Sequence, residues 1–127
     1  VHDRDAHEDC FEILKKNQAK KVVFHCFSGD EIFAEKIITE GWFLSFTGTI
    51  TYKNSHLDNV VRMVPNDRFF VETDSPYLSP RPRRGKRNSP LNLIYIIERI
   101  ADLKGITPKK IADFSYRNAT DFFLKRK

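Results

Sequence analysis

Short apolar runs without interspersed polar residues constrain the fold of this chain more than any other feature. Val22-Val23-Phe24 and Phe69-Phe70-Val71 contain no polar residue, which is typical of parallel strands that are covered on both faces. Longer segments with helical periodicity separate these runs. The sequence therefore predicts an α/β fold in which helices pack around a parallel sheet.

Capping and stop signals set the expected boundaries of the elements. Asp30 is a suitable N-cap and Gly41 a suitable C-terminal stop, while Ser89-Pro90 and Thr107-Pro108 are typical helix starts. We expect strands over 21–24, 42–46 and 69–72. We expect helices within the segments 5–16, 30–41, 55–65, 89–105 and 107–124, whose end residues include the start and stop signals. The helix after Ser89-Pro90 is expected to turn inward Ile94, Ile97, Ile100 and Ala101.

The length of 127 residues suits one domain, but it is only half of the roughly 250 residues of a closed (β/α)₈ barrel. A few parallel strands in an open sheet leave edges uncovered. We therefore expect residues 1–127 to form one domain that needs a partner, either a missing amino-terminal half or another chain. Because residues 1–5 include no initiator Met and no secretory signal, we expect an interior start, with Val1-His2 ending a strand.

Composition narrows the class of protein. No apolar run approaches the roughly 18 residues of a membrane span, which predicts a soluble protein without a membrane partner. Cys10 and Cys26 form neither a disulfide framework nor a Cys-x-x-Cys metal site, which favours a reducing, cytoplasmic location. Lys and Arg number 22 and Asp and Glu 17, and the resulting net charge of +5 favours anionic partners.

Three candidate metal ligands, His2, His25 and Asp74, follow predicted strands. The carboxyl ends of parallel strands meet at one mouth, so we expect these side chains to converge. Imidazole and carboxylate together suit zinc, manganese or magnesium, and such an ion acidifies its water and neutralises phosphate charge. The sequence indicates a hydrolytic metal site, while each residue taken singly also fits a structural or solvated role.

Acidic residues at the end of the third predicted strand extend this prediction. Asp74 is the catalytic candidate, because a carboxylate there can bind metal and also orient or deprotonate the attacking water. Glu72 lies two residues earlier and points to the same face of an extended strand. We assign Glu72 a supporting role, and a surface-facing acid is an equally good interpretation.

The segment 81–87 carries five cationic side chains and no acidic one, beside the predicted mouth. Arg side chains bind phosphate oxygens two at a time, so this segment predicts phosphodiester binding, with a solvated loop as the alternative. Phe27, in the loop after His25, is a candidate for stacking on a base. His7 and His56 are expected to be ordinary surface residues.

Five motifs occur in a fixed order along the chain. They are His2-Asp3-Arg4-Asp5-Ala6, His25-Cys26-Phe27-Ser28-Gly29, Ser45-Phe46-Thr47-Gly48, Glu72-Thr73-Asp74-Ser75-Pro76-Tyr77-Leu78 and Arg84-Gly85-Lys86-Arg87-Asn88-x-Pro90. In this order and spacing they resemble the TatD family of metal-dependent deoxyribonucleases, over Val1 to about Leu124. The resemblance implies a TIM-barrel hydrolase with two divalent ions at the barrel mouth, which cleaves DNA phosphodiester bonds, commonly from the 3′ end.

The resemblance also implies roles for individual residues. His2 and His25 match family histidines that end the fifth and sixth strands and bind metal, and Asp74 matches the aspartate that ends the eighth, binds metal and helps to activate water. We assign substrate binding to Arg84, Lys86 and Arg87, and supporting roles to Glu72 and Arg4. The family's His-x-His pair and bridging glutamate have no counterpart here, so the chain resembles the carboxyl-terminal half of the barrel.

The sequence therefore predicts part of a metal-dependent deoxyribonuclease, exonucleolytic in the 3′–5′ direction, whose partner is DNA. Its cofactors are expected to be divalent ions, two per complete site, of magnesium, manganese or zinc. A hydrolase of small esters or amides is one alternative, against which the basic segment argues. A non-catalytic nucleic-acid-binding half-barrel is the other.

Overall fold

A computed structural model describes residues 1–125 and contains a parallel sheet connected by helices. The strands, in sheet order, are β1 (Val23–Phe24), β2 (Phe43–Phe46) and β3 (Phe69–Val71). The helices are α1 (His7–Lys16), α2 (Glu31–Thr39), α3 (Asp58–Met63), α4 (Leu93–Lys104) and α5 (Pro108–Ala119). The predicted alternation of strands and helices is confirmed, with strands shorter than expected.

Val1 lies along the outer edge of β1. Its amino group donates to the carbonyl of Val23 at 2.7 Å, and the backbone N–H of His25 donates to the carbonyl of Val1 at 2.9 Å. β2 occupies the opposite edge, where Phe43 N–H donates to the carbonyl of Val22. Val1 therefore pairs with the edge of β1 through its backbone, and its place at the end of a strand stays a prediction.

The core lies between one face of the sheet and the helices. Phe24, Leu44 and Phe69 are paired across the three strands and are 0% exposed. Burial of each such side chain contributes about 1.5–3 kcal/mol. Helix residues complete this layer, including Ile37 of α2 and Ile100 of α4. The core thus fixes the strands whose carboxyl ends carry the candidate site.

The predicted N-cap and C-terminal stop residues of α2 have the expected roles. The Asp30 carboxylate accepts a hydrogen bond from Phe33 N–H at 2.9 Å, and Gly41 adopts φ +75° just beyond the helix. Thr107 likewise caps α5 by accepting from Lys110 N–H. These caps satisfy backbone groups that have no partner within the helix.

Two details of the helix predictions are wrong. Ile94 is 54% exposed, while Ile96 is buried. Ile97, Ile100 and Ala101 face inward as predicted, and α4, which begins at Leu93 after a short 3₁₀ turn, adds Leu93 and Ile96 to the inward stripe. The helix expected to start at Ser55 begins only at Asp58, because Ser55 Oγ accepts from Leu57 N–H in a turn that precedes it. Within residues 1–125 no helix is long and apolar enough to cross a membrane.

Candidate functional site

The three predicted metal ligands line one cavity of about 550 Å³ at the carboxyl ends of the strands. The rings of His2 and His25 have centroids 5.7 Å apart. Nε2 of His25 lies 3.8 Å from Oδ1 of Asp74. Residues far apart in the chain thus meet at one mouth because parallel strands end at the same edge of a sheet.

The imidazole of His25 is held by the carboxylate of Glu72. Oε2 of Glu72 lies 2.7 Å from Nδ1 of His25, and Oε1 accepts from the backbone N–H of Cys26 at 2.7 Å. An ionised carboxylate only accepts hydrogen bonds, so this contact assigns the ring proton to Nδ1. The other ring nitrogen, Nε2, faces Asp74, and carboxylate support of this kind orients metal-binding histidines.

Glu72 and His25 meet across β2, which separates their strands. Adjacent strands lie roughly 4.8 Å apart, so β1 and β3 are two such spacings apart, and the side chains of Glu72 and His25 bridge this gap together. Ser45 of β2 lines a cavity together with both residues. Its small side chain leaves room for this contact.

Two residues close to the His25–Glu72 contact have a strained backbone. Cys26 has φ +48° and Asp74 has φ +53°, in the left-handed region that costs a residue with a side chain about 1–3 kcal/mol. Strain of this kind is concentrated at functional sites, where the surrounding structure maintains it. Here the Glu72 carboxylate binds Cys26 N–H directly.

The donors present suit a divalent ion in type. Two imidazoles and a carboxylate match zinc or manganese. Within residues 1–125, however, no three His, Cys, Asp or Glu side chains form a group that could hold a metal ion. Burial raises the pKa of the Cys26 thiol, which disfavours the thiolate that a metal would bind. His2, His25 and Asp74 therefore offer part of a ligand set, and their metal binding stays a prediction.

The basic segment, residues 81–87, is exposed along its whole length. In the described part of the chain, none of its cations forms an ion pair. The guanidinium of Arg84 lies 4.1 Å from the ring centroid of Tyr52. The other cationic side chains of the basic segment, including Lys86 and Arg87, are exposed and can bind an anionic ligand.

Asn88 attaches the basic segment to the loop that carries Asp74. Its side-chain amide donates to the carbonyls of Thr73 at 2.8 Å and Tyr77 at 2.6 Å. Its backbone N–H donates to the carbonyl of Pro76 at 3.0 Å. The segment predicted to bind phosphate is therefore fixed next to a predicted metal ligand.

Other predictions have mixed outcomes. Arg4 is exposed and lines the cavity of the three candidate ligands. The proposed base-stacking role of Phe27 is wrong, because its ring is 1% exposed and stacks on Phe33 in the core. His7 is not an ordinary surface residue, since its Nδ1 lies 2.5 Å from Oδ2 of the buried Asp3.

The model of the family described as TatD related DNase matches residues 1–124. This chain belongs to the TatD family. It is 43% identical over 126 residues to YabD of Bacillus subtilis (strain 168), covering 97% of this chain and 49% of YabD. It is 40% identical over 126 residues to YcfH of Escherichia coli (strain K12), and the match covers 97% of this chain and 48% of YcfH. Both relatives of this TatD-family chain are named as uncharacterized metal-dependent hydrolases.

A solved structure shows the same architecture. The TatD homologue YjjV from Escherichia coli K12 superimposes with a TM-score of 0.90 at 26% identity, over 98% of this chain and 49% of YjjV. The α/β fold of the TIM-barrel type is thereby confirmed. The chain spans about half the length of the curated relatives it matches. Its assignment as the carboxyl-terminal half of the TatD barrel stays a prediction.

Proposed function

We propose that this chain supplies the carboxyl-terminal half of the active site of a metal-dependent deoxyribonuclease that removes nucleotides from the 3′ end of DNA. The observation that carries the proposal is the cavity shared by His2, His25 and Asp74, with a basic segment fixed beside it by Asn88. The family to which the chain belongs is described as TatD related DNase, which supports the choice of substrate.

Each side chain has a distinct role in this proposal. His2 and His25 present imidazole nitrogens to divalent ions, two in the complete site, of magnesium, manganese or zinc. Such ions, when bound, would lower the pKa of a water molecule and offset the charge of the phosphate. Asp74 would orient the attacking water and accept its proton. Glu72 keeps Nε2 of His25 directed at the cavity.

The basic segment supports a polyanionic substrate. Arg84, Lys86 and Arg87 are exposed on the segment that Asn88 joins to the Asp74 loop, and we assign them to contacts with the DNA backbone beyond the cleaved phosphate. Arg4 adds a further cation on the wall of the cavity itself. A neutral ester or amide gains nothing from this charge.

Hydrolysis of small esters or amides is the second candidate, because a cavity of about 550 Å³ falls within the range of small-ligand sites. Assays of the full-length, metal-loaded protein on oligonucleotides, ribonucleotides, esters and amides distinguish the two. Selective hydrolysis of DNA supports the proposal, and selective hydrolysis of small neutral substrates overturns it. Stoichiometric DNA binding without any hydrolysis identifies the remaining candidate, a non-catalytic nucleic-acid-binding half-barrel.

Asp74→Asn tests the assigned chemistry directly. The amide retains the shape of the side chain but is a far poorer proton acceptor and ligand, so we expect loss of nuclease activity with an unchanged circular dichroism spectrum. Asp67→Asn removes an exposed carboxylate outside the cavity and is expected to keep full activity. Undiminished hydrolysis by Asp74→Asn would contradict the assignment.

A further inference from the structure

A second cavity of about 550 Å³ lies on the flank of the fold. It is formed by the loop after β2, the first residues of the basic segment and one face of α4. Among the described residues, none lines both this cavity and the cavity of the candidate metal ligands. Its volume falls within the range of small-ligand sites. We call it the outer cavity, and its lining includes Tyr52, Lys53, Arg81, Tyr95, Glu98 and Asp102.

Hydrogen bonds hold the loop wall of the outer cavity in place. Thr51 Oγ1 donates to the carbonyl of Gly48 at 2.6 Å and accepts from Arg81 N–H at 2.9 Å. The hydroxyl of Tyr52 donates to the carbonyl of Ser79 at 3.1 Å. The loop after β2 is thereby joined to the start of the basic segment, so this wall is formed before a ligand binds.

The charged side chains of the outer cavity are divided by sign. Lys53 and Arg81 come from the two loops, whereas Glu98 and Asp102 lie four positions apart on one face of α4. All four are exposed, and none of them forms an ion pair within residues 1–125. Arg99, in contrast, is paired with a carboxylate of α3 at 2.7 Å. Two cations from the loops and two acids from the helix are therefore left for a ligand.

Two tyrosines add flat surfaces to the lining. Tyr52 and Tyr95 are both half-buried. The guanidinium of Arg84 lies 4.1 Å from the ring centroid of Tyr52. Over the described part of the chain, no cation lies on the ring of Tyr95. Tyr95 is therefore the ring that a planar ligand can stack on.

These features match the separate parts of a nucleotide. Lys and Arg side chains bind phosphate, a tyrosine ring stacks on an unpaired base, and a carboxylate accepts a hydrogen bond from the amino group of cytosine. A ligand that is negative throughout would be repelled by Glu98 and Asp102. A neutral ligand would gain nothing from Lys53 and Arg81. A nucleotide uses all of these groups, because its phosphate and its base lie at opposite ends.

We propose that the outer cavity binds one nucleotide, with its phosphate on Lys53 and Arg81 and its base on Tyr95 and the carboxylates of α4. This inference rests on the proposed function, and it assigns the nucleotide to the strand whose cleaved phosphate lies at the candidate metal ligands. The basic segment connects the two cavities, because it begins with Arg81 and ends beside Asn88, which is bonded to the Asp74 loop. A free mononucleotide has the same chemistry and is the other source.

The first test uses the full-length protein loaded with a divalent metal and single-stranded oligonucleotides of increasing length. We expect KM to fall about tenfold at the length that first reaches the outer cavity, because a stacked base and a phosphate contact are added there. Lys53→Gln is expected to remove most of this fall. Lys16→Gln makes the same change in charge at the exposed end of α1 and should retain it.

The base at that position of the strand provides a second measurement. Cytosine offers an amino group to the carboxylates of Glu98 and Asp102, whereas thymine has a carbonyl oxygen in its place. We expect a preference for cytosine at this one position, and Glu98→Gln/Asp102→Asn should abolish it. The matched pair Glu12→Gln/Glu35→Gln, on exposed positions of α1 and α2, should keep it. A merely structural role of the two carboxylates would leave the ranking of the bases unchanged.

Titration of the same protein with dCMP separates the two sources. A fall in KM with length that depends on Lys53 identifies a nucleotide of the strand. Binding of dCMP that depends on Lys53, without such a fall, identifies a free nucleotide, and either result supports the site. If neither occurs, or if Lys16→Gln acts like Lys53→Gln, the outer cavity is overturned and the nuclease proposal is unaffected. If no DNA is hydrolysed but dCMP binding depends on Lys53, only the proposed function fails.

Discussion

Nδ1 of His25 lies 2.7 Å from Oε2 of Glu72, although a whole strand separates the two residues. The contact fixes the rotation of the imidazole and leaves Nε2 as its free nitrogen. The other oxygen of the same carboxylate binds the backbone N–H of Cys26. One side chain therefore positions both a predicted ligand and the strained loop that follows it.

Glu72→Gln is expected to weaken metal binding by about 10–100-fold, which is typical of the loss of a carboxylate that supports a histidine ligand. The uncharged amide no longer favours the proton on Nδ1. Isothermal titration of the full-length protein with zinc or manganese measures the change. The matched variant Glu35→Gln, on the exposed face of α2, should bind metal normally. Equal affinities of the two variants would show that Glu72 does not act through His25.

Neutralising Arg84 and Arg87 should weaken DNA binding and flatten its salt dependence. Each lost phosphate contact lowers the slope of log K against log salt by about 0.7 for single strands. Binding of a single-stranded oligonucleotide at several salt concentrations measures this slope. The Lys109→Gln/Lys110→Gln pair makes the same change in net charge on α5 and should leave the slope almost unchanged. Identical slopes for both double variants would remove the basic segment from the DNA path.

The sequence predicted the convergence of the candidate ligands because strand-end positions follow from topology alone. His25 and Asp74 each follow an apolar run, and parallel strands end at one edge. The contact between Glu72 and His25 could not be predicted in the same way, because it depends on strand order and on the small side chain of Ser45 between them. Phe27 was misassigned because a loop aromatic gives no signal of whether the chain folds it back into the core.

The loop after β2 depends on Gly48. A Cβ atom at this position would overlap the carbonyl oxygen of Leu78 and come within 2.8 Å of Pro80 N. Because both are backbone atoms, rotation of a side chain cannot relieve the clash. We expect Gly48→Ala to reduce the free energy of unfolding by about 1–3 kcal/mol, as overpacking does, and to lower activity by displacing the Asp74 loop. Urea denaturation of the full-length protein measures the first effect.

Gly41→Ala, just beyond α2 and outside both the cavity and the basic segment, is the control for this variant. A Cβ atom there meets nothing within 4 Å, but φ is +75°, so the substitution introduces backbone strain without a clash. Its effect on activity should be smaller than that of Gly48→Ala. The reverse order would mean that close approach of the two loops is not required at the site.

Asn88→Ala should both destabilise the protein and reduce DNA hydrolysis. Asn88 is 4% exposed. Its side-chain amide donates to the carbonyls of Thr73 and Tyr77. Its Oδ1 accepts from Ser89 N–H and from the Asn92 amide. Each buried group left without a partner costs about 1–3 kcal/mol. Denaturation midpoints and kcat/KM measure the two effects. Asn17→Ala removes one exposed hydrogen bond to Ile13 and should change neither appreciably. Destabilisation of Asn88→Ala with full kcat/KM would show that the basic segment need not be fixed to the Asp74 loop.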